Sequence, residues 1–240
     1  MVLDNIAIRS QLLLDYDTCQ RFKAVSAILD ESGKKRTLLD VGAGKGEFRF
    51  FLPPSWTYLS ADIRASQFAR HHSFVASGAR LPFRDKCFDV VISIDALQYV
   101  QELPEFVTAL KRISKDMVVV TCPVNNSQVR QAERELNALH VRLFGHGQVW
   151  LQRTFESGLP EQGGIVSCLG KGTVIIPNSY LPRWKIIQRV NIRLQRVGLL
   201  AIPLKLFVNA FLNILFRSID TRVPSYRVIF VYRVGRDSAL

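Results

Sequence analysis

The chain has 240 residues, 48% of them hydrophobic, enough for one large domain with a sizeable core and no repeat or low-complexity segment. Its formal net charge of +12 points to an anionic partner. Cys19, Cys87, Cys122 and Cys168 are scattered without C-x-x-C spacing, which argues for reduced thiols of an intracellular protein and against a disulfide framework or a metal site.

Residues 1–20 hold Asp4, Arg9, Asp15 and Asp17 and no long apolar run, so no signal peptide is expected. Residues 1–35 read as an amphipathic helical cap, with Leu12, Leu13, Tyr16, Phe22, Val25 and Ile28 apolar and Gly33 as its stop. Apolar strands are expected at 37–41, 57–61, 89–94 and 117–122, with helical stretches around 46–52, 64–71 and 103–114 between them. Such alternation predicts an α/β, Rossmann-like, mostly parallel sheet with helices on both faces.

The segment Leu38-Leu39-Asp40-Val41-Gly42-Ala43-Gly44-Lys45-Gly46-Glu47-Phe48 carries the most information. A strand runs into an acid, and glycines then stand where the backbone bends sharply and a ligand approaches it closely. A helix start follows, with free N–H groups. The pattern is neither the G-x-G-x-x-G fingerprint nor a P-loop, because Lys45 lies inside the glycine run and no Ser or Thr follows it. On this segment alone, a tight strand–helix turn without a ligand stays open. Asp62 ends the second strand, where a carboxylate can accept hydrogen bonds from ribose hydroxyls.

LLDVGAGKGEF, SADIR and LPFRDKCFDVVISIDALQYV together resemble class I S-adenosylmethionine (SAM)-dependent methyltransferases of the methyltransferase-11 type, across residues 36–123. The resemblance implies SAM as cofactor. Asp40, Gly42, Ala43, Gly44 and Gly46 would cradle its methionine end. Asp62 would hold the ribose and Ile63 would pack on the adenine. Ser77 stands where the family usually has an Asp facing the adenine amino group, with the Ala79 backbone as the other adenine contact. Ile94, Asp95 and Ala96 would line the site after the fourth strand, and Tyr99 replaces a common His.

Beyond Pro123 the pattern changes. A helix is expected over 126–144, a short strand at 172–177 and a strong strand at 226–234. The resemblance implies that these two strands complete a seven-stranded sheet, the last antiparallel. The chain then divides into a helical cap (1–35), a SAM-binding core (36–182), a helical insertion (183–217), and the final strand with its tail (218–240).

The charge is concentrated in the second half. Residues 1–125 carry +2 and residues 126–240 carry +10; the stretch 183–236 has 11 basic residues and a single acid, Asp220. Lys185, Gln188, Arg189, Arg193 and Arg196 fall on one helical face, and Ile186, Val190, Leu194 and Val197 on the other. Leu204 to Phe216 is apolar except for a stripe of Lys205, Asn209 and Asn213. A basic helix followed by an apolar one resembles an interfacial anchor on an anionic membrane surface. An internal lid, a dimer face and a spanning helix over 197–216 are the alternatives, with Pro203 and Lys205 against spanning. Nucleic acid fits less well, since no aromatic residues interleave with the basic ones.

Methyl transfer is an in-line displacement in which alignment does most of the catalysis, and a base is needed where the acceptor loses a proton early. Of the histidines, His71 and His72 read as exposed and His140 as structural. His146, in a glycine-flanked loop, is the candidate base. Cys122-Pro123, Glu133, Asn137, His140, Gly145-His146, Trp150-Leu151 and Gly158-Leu159-Pro160 resemble methyltransferases of bacterial surface-polysaccharide and glycolipid clusters, although Arg153-Thr154 replaces that group's Glu-His. The expectation is a cytoplasmic enzyme, peripheral on the inner face of the cell membrane, that O-methylates a lipid-linked sugar, glycan or other lipid-borne acceptor. A quinone or small-molecule methyltransferase and a catalytically silent SAM-fold binding or assembly protein are the alternatives. No metal is expected.

Overall fold

The computed structural model describes residues 15–29, 34–64, 73–198, 202–215 and 221–235. In chain order these form α1 (Tyr16–Leu29), β1 (Thr37–Val41), β2 (Thr57–Asp62), β3 (Ser73–Val75), β4 (Phe88–Ile94), α2 (Leu103–Ile113), β5 (Ser114–Pro123), α3 (Ser127–Phe144), α4 (Val149–Ser157), α5 (Gln162–Leu169), β6 (Val174–Tyr180), α6 (Leu181–Val197), α7 (Ile202–Leu215) and β7 (Ser225–Arg233). The seven strands make one sheet in the order β3-β2-β1-β4-β5-β7-β6, as the Rossmann-like expectation requires. The pairs β1–β2, β1–β4, β2–β3 and β4–β5 are parallel. A crossover returns the chain from β3 to β4 beside β1, so the turns after β1 and β4 become neighbours at the carboxyl edge, where open α/β sheets bind ligands.

The central strands are apolar on both faces. Leu38, Leu39, Val90, Val91, Ile92, Val118, Val119 and Val120 are all fully buried. Strands covered on both sides by helices need such continuous apolar runs, and each fully buried Val, Leu or Ile contributes about 1.5–3 kcal/mol. Asp89 anchors the start of β4 to that of β1 by accepting from both the N–H and the hydroxyl of Thr37. Arg112 donates to the carbonyls of Leu81 and Phe83, so LPF in the family-like block is held as a structural turn.

The chain forms two compact units. One comprises Met1–Ala24, Val124–Leu159 and Pro177–Arg227; the other comprises Val25–Pro123, Pro160–Ile176 and Val228–Leu240. In the first, Val129, Ala132, Leu136, Leu151, Leu181, Trp184, Ile192 and Tyr226 make a separate apolar core between the helices.

Several elements differ from the sequence-based expectation. The helix expected around 46–52 is a five-residue 3-10 turn, Glu47–Phe51. Leu52 precedes Pro53 and is extended, since a residue before proline is driven out of the helical region. The stretch expected to be helical at 64–71 falls largely outside the described residues, as do His71, His72 and Gly33. Helices α4 and α5 occupy a region without an assigned element. Of the span 197–216 considered for a membrane crossing, residues 199–201 and 216 lie outside the described residues; α6 ends at Val197, with Gly198 at φ 65° as its cap, and among the described residues no helix is long and apolar enough to cross a membrane. None of the four cysteines, all among the described residues, is in a disulfide.

Candidate cofactor site

The site lies within the second unit, where β1 delivers Asp40 to the glycine turn. Gly42, Gly44 and Gly46 all have φ between 56° and 76°, a region that L side chains rarely adopt. Two of them do different jobs. A Cβ on Gly42 would lie 2.5 Å from the Cβ of Ala96, so this glycine lets the turn after β1 close against the turn after β4. A Cβ on Gly44 would meet nothing within 4 Å, so this glycine faces open space in which a ligand can sit against the backbone. The Ala43 carbonyl accepts from the Gly46 N–H at 2.9 Å, and the Gly42 N–H donates to the Ala61 carbonyl at 2.7 Å, which ties the turn to β2.

Asp40 is buried. Its Oδ2 accepts from the Tyr58 hydroxyl at 2.7 Å, while its Oδ1 is buried with no hydrogen-bond partner. Burial pushes its carboxyl up to about 7; the Tyr58 hydrogen bond lowers it and the nearby Asp62 charge raises it. An orphaned buried carboxylate oxygen beside a glycine turn fits a ligand that brings a positive charge. SAM carries an ammonium and a sulfonium, so the residues present fit it, with Asp40 as the acceptor for the ammonium.

Asp62 ends β2. Its Oδ2 accepts from the Gly44 N–H at 2.9 Å and its Oδ1 from the Arg64 N–H at 3.0 Å. Each oxygen keeps a second lone pair for the ribose hydroxyls. Next to it, Ile63 is 69% exposed, a bare apolar side chain where the resemblance puts the adenine. Ser77 is exposed, and its carbonyl accepts from the Arg80 N–H, which closes a turn through Ala79. Gly78 lets that turn approach Phe106, whose ring an added Cβ would overlap.

Ile94 ends β4, and Asp95 follows at φ 52°, a strained conformation for a non-glycine residue. Thr121 holds it there: the Asp95 N–H donates to the Thr121 carbonyl at 2.9 Å, and the Thr121 hydroxyl donates to Asp95 Oδ1 at 2.9 Å. The structure therefore brings Asp40, Gly42, Asp62, Asp95 and Ala96 into one edge of the second unit. Sequence reading missed Tyr58 and Thr121; their signal was a polar residue inside an otherwise apolar strand.

His146 belongs to the first unit, in the loop between α3 and α4. Its Nδ1 lies 3.0 Å from the Gly147 carbonyl, which can only accept, so Nδ1 carries a proton, and in the neutral ring the lone pair is on Nε2. His140 donates from Nδ1 to the His146 carbonyl at 2.7 Å and stacks on Phe144, a loop-pinning role. Other residues of the second motif are structural as well. Buried Glu133 accepts from the Tyr226 hydroxyl at 2.9 Å, Asn137 accepts from the Gln148 N–H at the start of α4, and Leu151 is fully buried. Burial pushes Glu133 up to about 7 against the Tyr226 hydrogen bond. Among the described residues no cluster could hold a metal ion.

The Asp40 geometry carries a pH prediction. Below about pH 7 a proton competes with a cationic ligand for this carboxylate. SAM affinity is expected to fall as pH drops from 8 to 6 by up to about tenfold per pH unit below the carboxyl's own value. Asp40→Asn should bind weakly at every pH. Calorimetric titration across that range checks it; a flat profile in the parent chain would show that Asp40 does not meet the ligand's charge.

The Methyltransf_11 profile, a methyltransferase domain, matches residues 39–121, about a third of the chain. No curated protein matches the sequence. Among solved structures, a Thermotoga maritima SAM-dependent methyltransferase, described as a possible histamine N-methyltransferase, superposes with a TM-score of 0.57 at 12% identity, over 95% of this chain and 95% of that one. The [4+2]-cyclase SpnF gives a TM-score of 0.55 at 15% identity, over 90% and 81%. An Anabaena variabilis methyltransferase from an antibiotic biosynthesis pathway gives 0.53 at 16%, over 88% and 98%. At such identities the likeness establishes the fold. The profile match falls on the segment that contains the glycine turn, the Asp40 orphan oxygen and the Asp62 bridge, so residues 39–121 are similar to a methyltransferase domain.

Proposed function

We propose that this chain O-methylates a lipid-borne acceptor, a lipid-linked sugar or glycan, while docked on an anionic membrane surface. SAM supplies an activated methyl group. Bound SAM would supply that methyl to the acceptor oxygen with S-adenosylhomocysteine as the leaving group, and a protein base would take the hydroxyl proton. His146 is the proposed base, because its Nδ1–H is committed to the Gly147 carbonyl and its Nε2 keeps the lone pair.

The observation that carries the membrane reading is the orientation of α7. Of its polar stripe, Asn209 turns inward: it is buried and accepts from the Tyr16 N–H at 2.7 Å. Its apolar stripe turns outward, with Leu204, Phe207, Phe211 and Ile214 between 52% and 71% exposed. A helix of a water-facing surface has the opposite pattern. On α6 the basic face is partly neutralised, because Lys185 and Arg189 both pair with Glu135. Arg193 and Arg196 stay exposed, as do Ile186 and Val197. Large exposed apolar side chains with a local basic excess suit the headgroup boundary of an anionic bilayer, where each basic residue adds about 1 kcal/mol.

Flotation with vesicles containing phosphatidylglycerol tests the docking. The parent chain should float at low salt and release partly at high salt. Changing Leu204, Phe207, Phe211 and Ile214 to Ser should reduce the floating fraction by about tenfold or more, since even one buried Leu or Phe contributes about 1.5–3 kcal/mol. Equal flotation of this variant would make α7 irrelevant to membranes. The acceptor is tested by mass spectrometry of lipids and glycans from a deletion strain, in which one species should lack a single methyl increment.

A further inference from the structure

In the second unit β1 and β2 run parallel with Asp40 beside Ser60, and Tyr58 lies two residues before Ser60, on the same face of the sheet. That spacing lets the phenol reach along the face to Asp40, whose Oδ2 accepts from its hydroxyl at 2.7 Å. The glycine turn closes over the same side chains: a Cβ on Gly46 would lie 3.6 Å from the Tyr58 hydroxyl and 3.8 Å from Ser60 Oγ. Resting on the reading of Asp40 as the acceptor for the SAM ammonium, we propose that Tyr58 is a positioning residue of the cofactor site, whose hydroxyl holds one oxygen of Asp40 and leaves the other to the cofactor's positive charge.

The two oxygens of Asp40 are unequal. Oδ2 is taken by Tyr58, and Oδ1 is buried without a hydrogen-bond partner. A carboxylate pinned at one oxygen cannot rotate about its last bond without breaking a charge-assisted hydrogen bond, so its open acceptor stays directed to one place. The donor is dependable. Burial, and then the charge and hydrogen bond of Asp40, push the Tyr58 phenol well above its ordinary value, so the hydroxyl stays protonated and keeps donating. The same bond decides how much of Asp40 is ionised. Burial pushes the carboxyl up to about 7, and the Tyr58 hydrogen bond works against burial by favouring the charged form. The surrounding charges do not replace it. Asp62, at the end of β2, raises the Asp40 carboxyl further. On the 3-10 turn, Arg49 lowers the Tyr58 phenol and Glu47 raises it. On the other side of β1, β4 places apolar Ile92 beside Asp40. Of the described groups that act on Asp40, Tyr58 is the one that favours its carboxylate. A phenylalanine would fill the same floor beneath the turn, but only a tyrosine brings the donor.

Equilibrium binding of S-adenosylhomocysteine, which keeps the amino-acid ammonium of SAM without its labile sulfonium, tests the proposal across the neutral to alkaline range. In the parent chain affinity should fall as pH drops through about 7. Tyr58→Phe keeps the ring under the glycine turn and removes the donor. The pH at which affinity falls should then move up by about one to two units, the effect of one hydrogen bond to a charged group. Near neutral pH the variant should bind about tenfold more weakly, and the gap should narrow as the medium becomes alkaline. In an Asp40→Asn background the same substitution should change binding by less than about twofold, because a residue that acts through Asp40 has nothing left to act on. Urea unfolding without ligand gives a second readout. Folded Asp40 holds its proton to higher pH than the unfolded chain does, so this group lowers stability as pH rises from about 4 toward about 7, and in Tyr58→Phe the decline should run on to about 8 or beyond. Tyr58→Leu, also apolar and without a donor, takes the place of Tyr58→Phe should that variant fold poorly. An unchanged pH profile in the folded variant beside a pH-dependent parent would overturn the proposal. So would an equal loss in the Asp40→Asn background, the mark of a floor that acts by shape alone. A flat profile in the parent would instead remove the Asp40 reading, and the proposal with it.

Discussion

Gly44→Val is expected to abolish measurable SAM binding and leave the chain folded. The backbone there sits at φ 56°, and an added Cβ meets no protein atom within 4 Å. The substitution therefore costs the folded state only backbone strain, about 1–3 kcal/mol, within the margin of a domain this size. Its branched side chain would fill the space that the turn leaves for the cofactor, against the N–H that Asp62 holds in place. Gly42→Ala is the informative contrast. Its Cβ would collide with that of Ala96 at 2.5 Å, so it should lower stability and prise apart the turns after β1 and β4 before any question of binding arises. Calorimetric titration with circular dichroism separates the two. If Gly44→Val binds SAM as the parent does, the open face of the turn is not where the cofactor lies.

The cofactor half was legible in sequence because each of its features is local. A glycine forced by a positive φ, an acid at a strand end and an apolar run covered on both faces all leave a mark within a few residues. What was not legible depends on distant pairing. Nothing near Asp40 in the chain announces Tyr58, and Asp95 is held by a threonine 26 positions later. The 3-10 turn after the glycines was readable in principle from Pro53, which stops a helix at Leu52. The orientation of α7 was out of reach: periodicity located its polar stripe, but amphipathicity alone assigns that stripe to water. Only the burial of Asn209 and the hydrogen bond it accepts from the Tyr16 N–H show that this position faces the protein. For the same reason α6 looked like one uniform basic face until Glu135 of α3 took two of its cations. The Asp17–Arg227 pair spans 210 positions and left no local trace.

That pair is expected to be the most sensitive ion pair in the first unit. Both side chains are largely buried, with 3% of Arg227's and 13% of Asp17's exposed. Burial acts to raise the Asp17 carboxyl, but Arg227, with help from Arg21 and the Arg227 and Ser179 hydrogen bonds, outweighs it and holds the group below its ordinary value. The pair thus contributes stability above the ordinary carboxylate range, lost as pH falls through the depressed value of the folded state. Arg227→Met removes the main opposing charge and leaves a carboxylate in a site that disfavours it, a loss of about 3–5 kcal/mol at neutral pH. The pH trend should then reverse. With burial dominant the folded carboxyl rises above its unfolded value, so the variant should recover stability as pH falls toward 4, where the parent gains none. Adding Asp17→Asn to Arg227→Met should restore most of the loss at pH 7, because the uncompensated charge is gone. Urea unfolding of the four proteins at both pH values decides it. Parallel curves for parent and Arg227→Met would mean that Asp17 is solvated in the variant and that the pair is a surface contact in energetic terms.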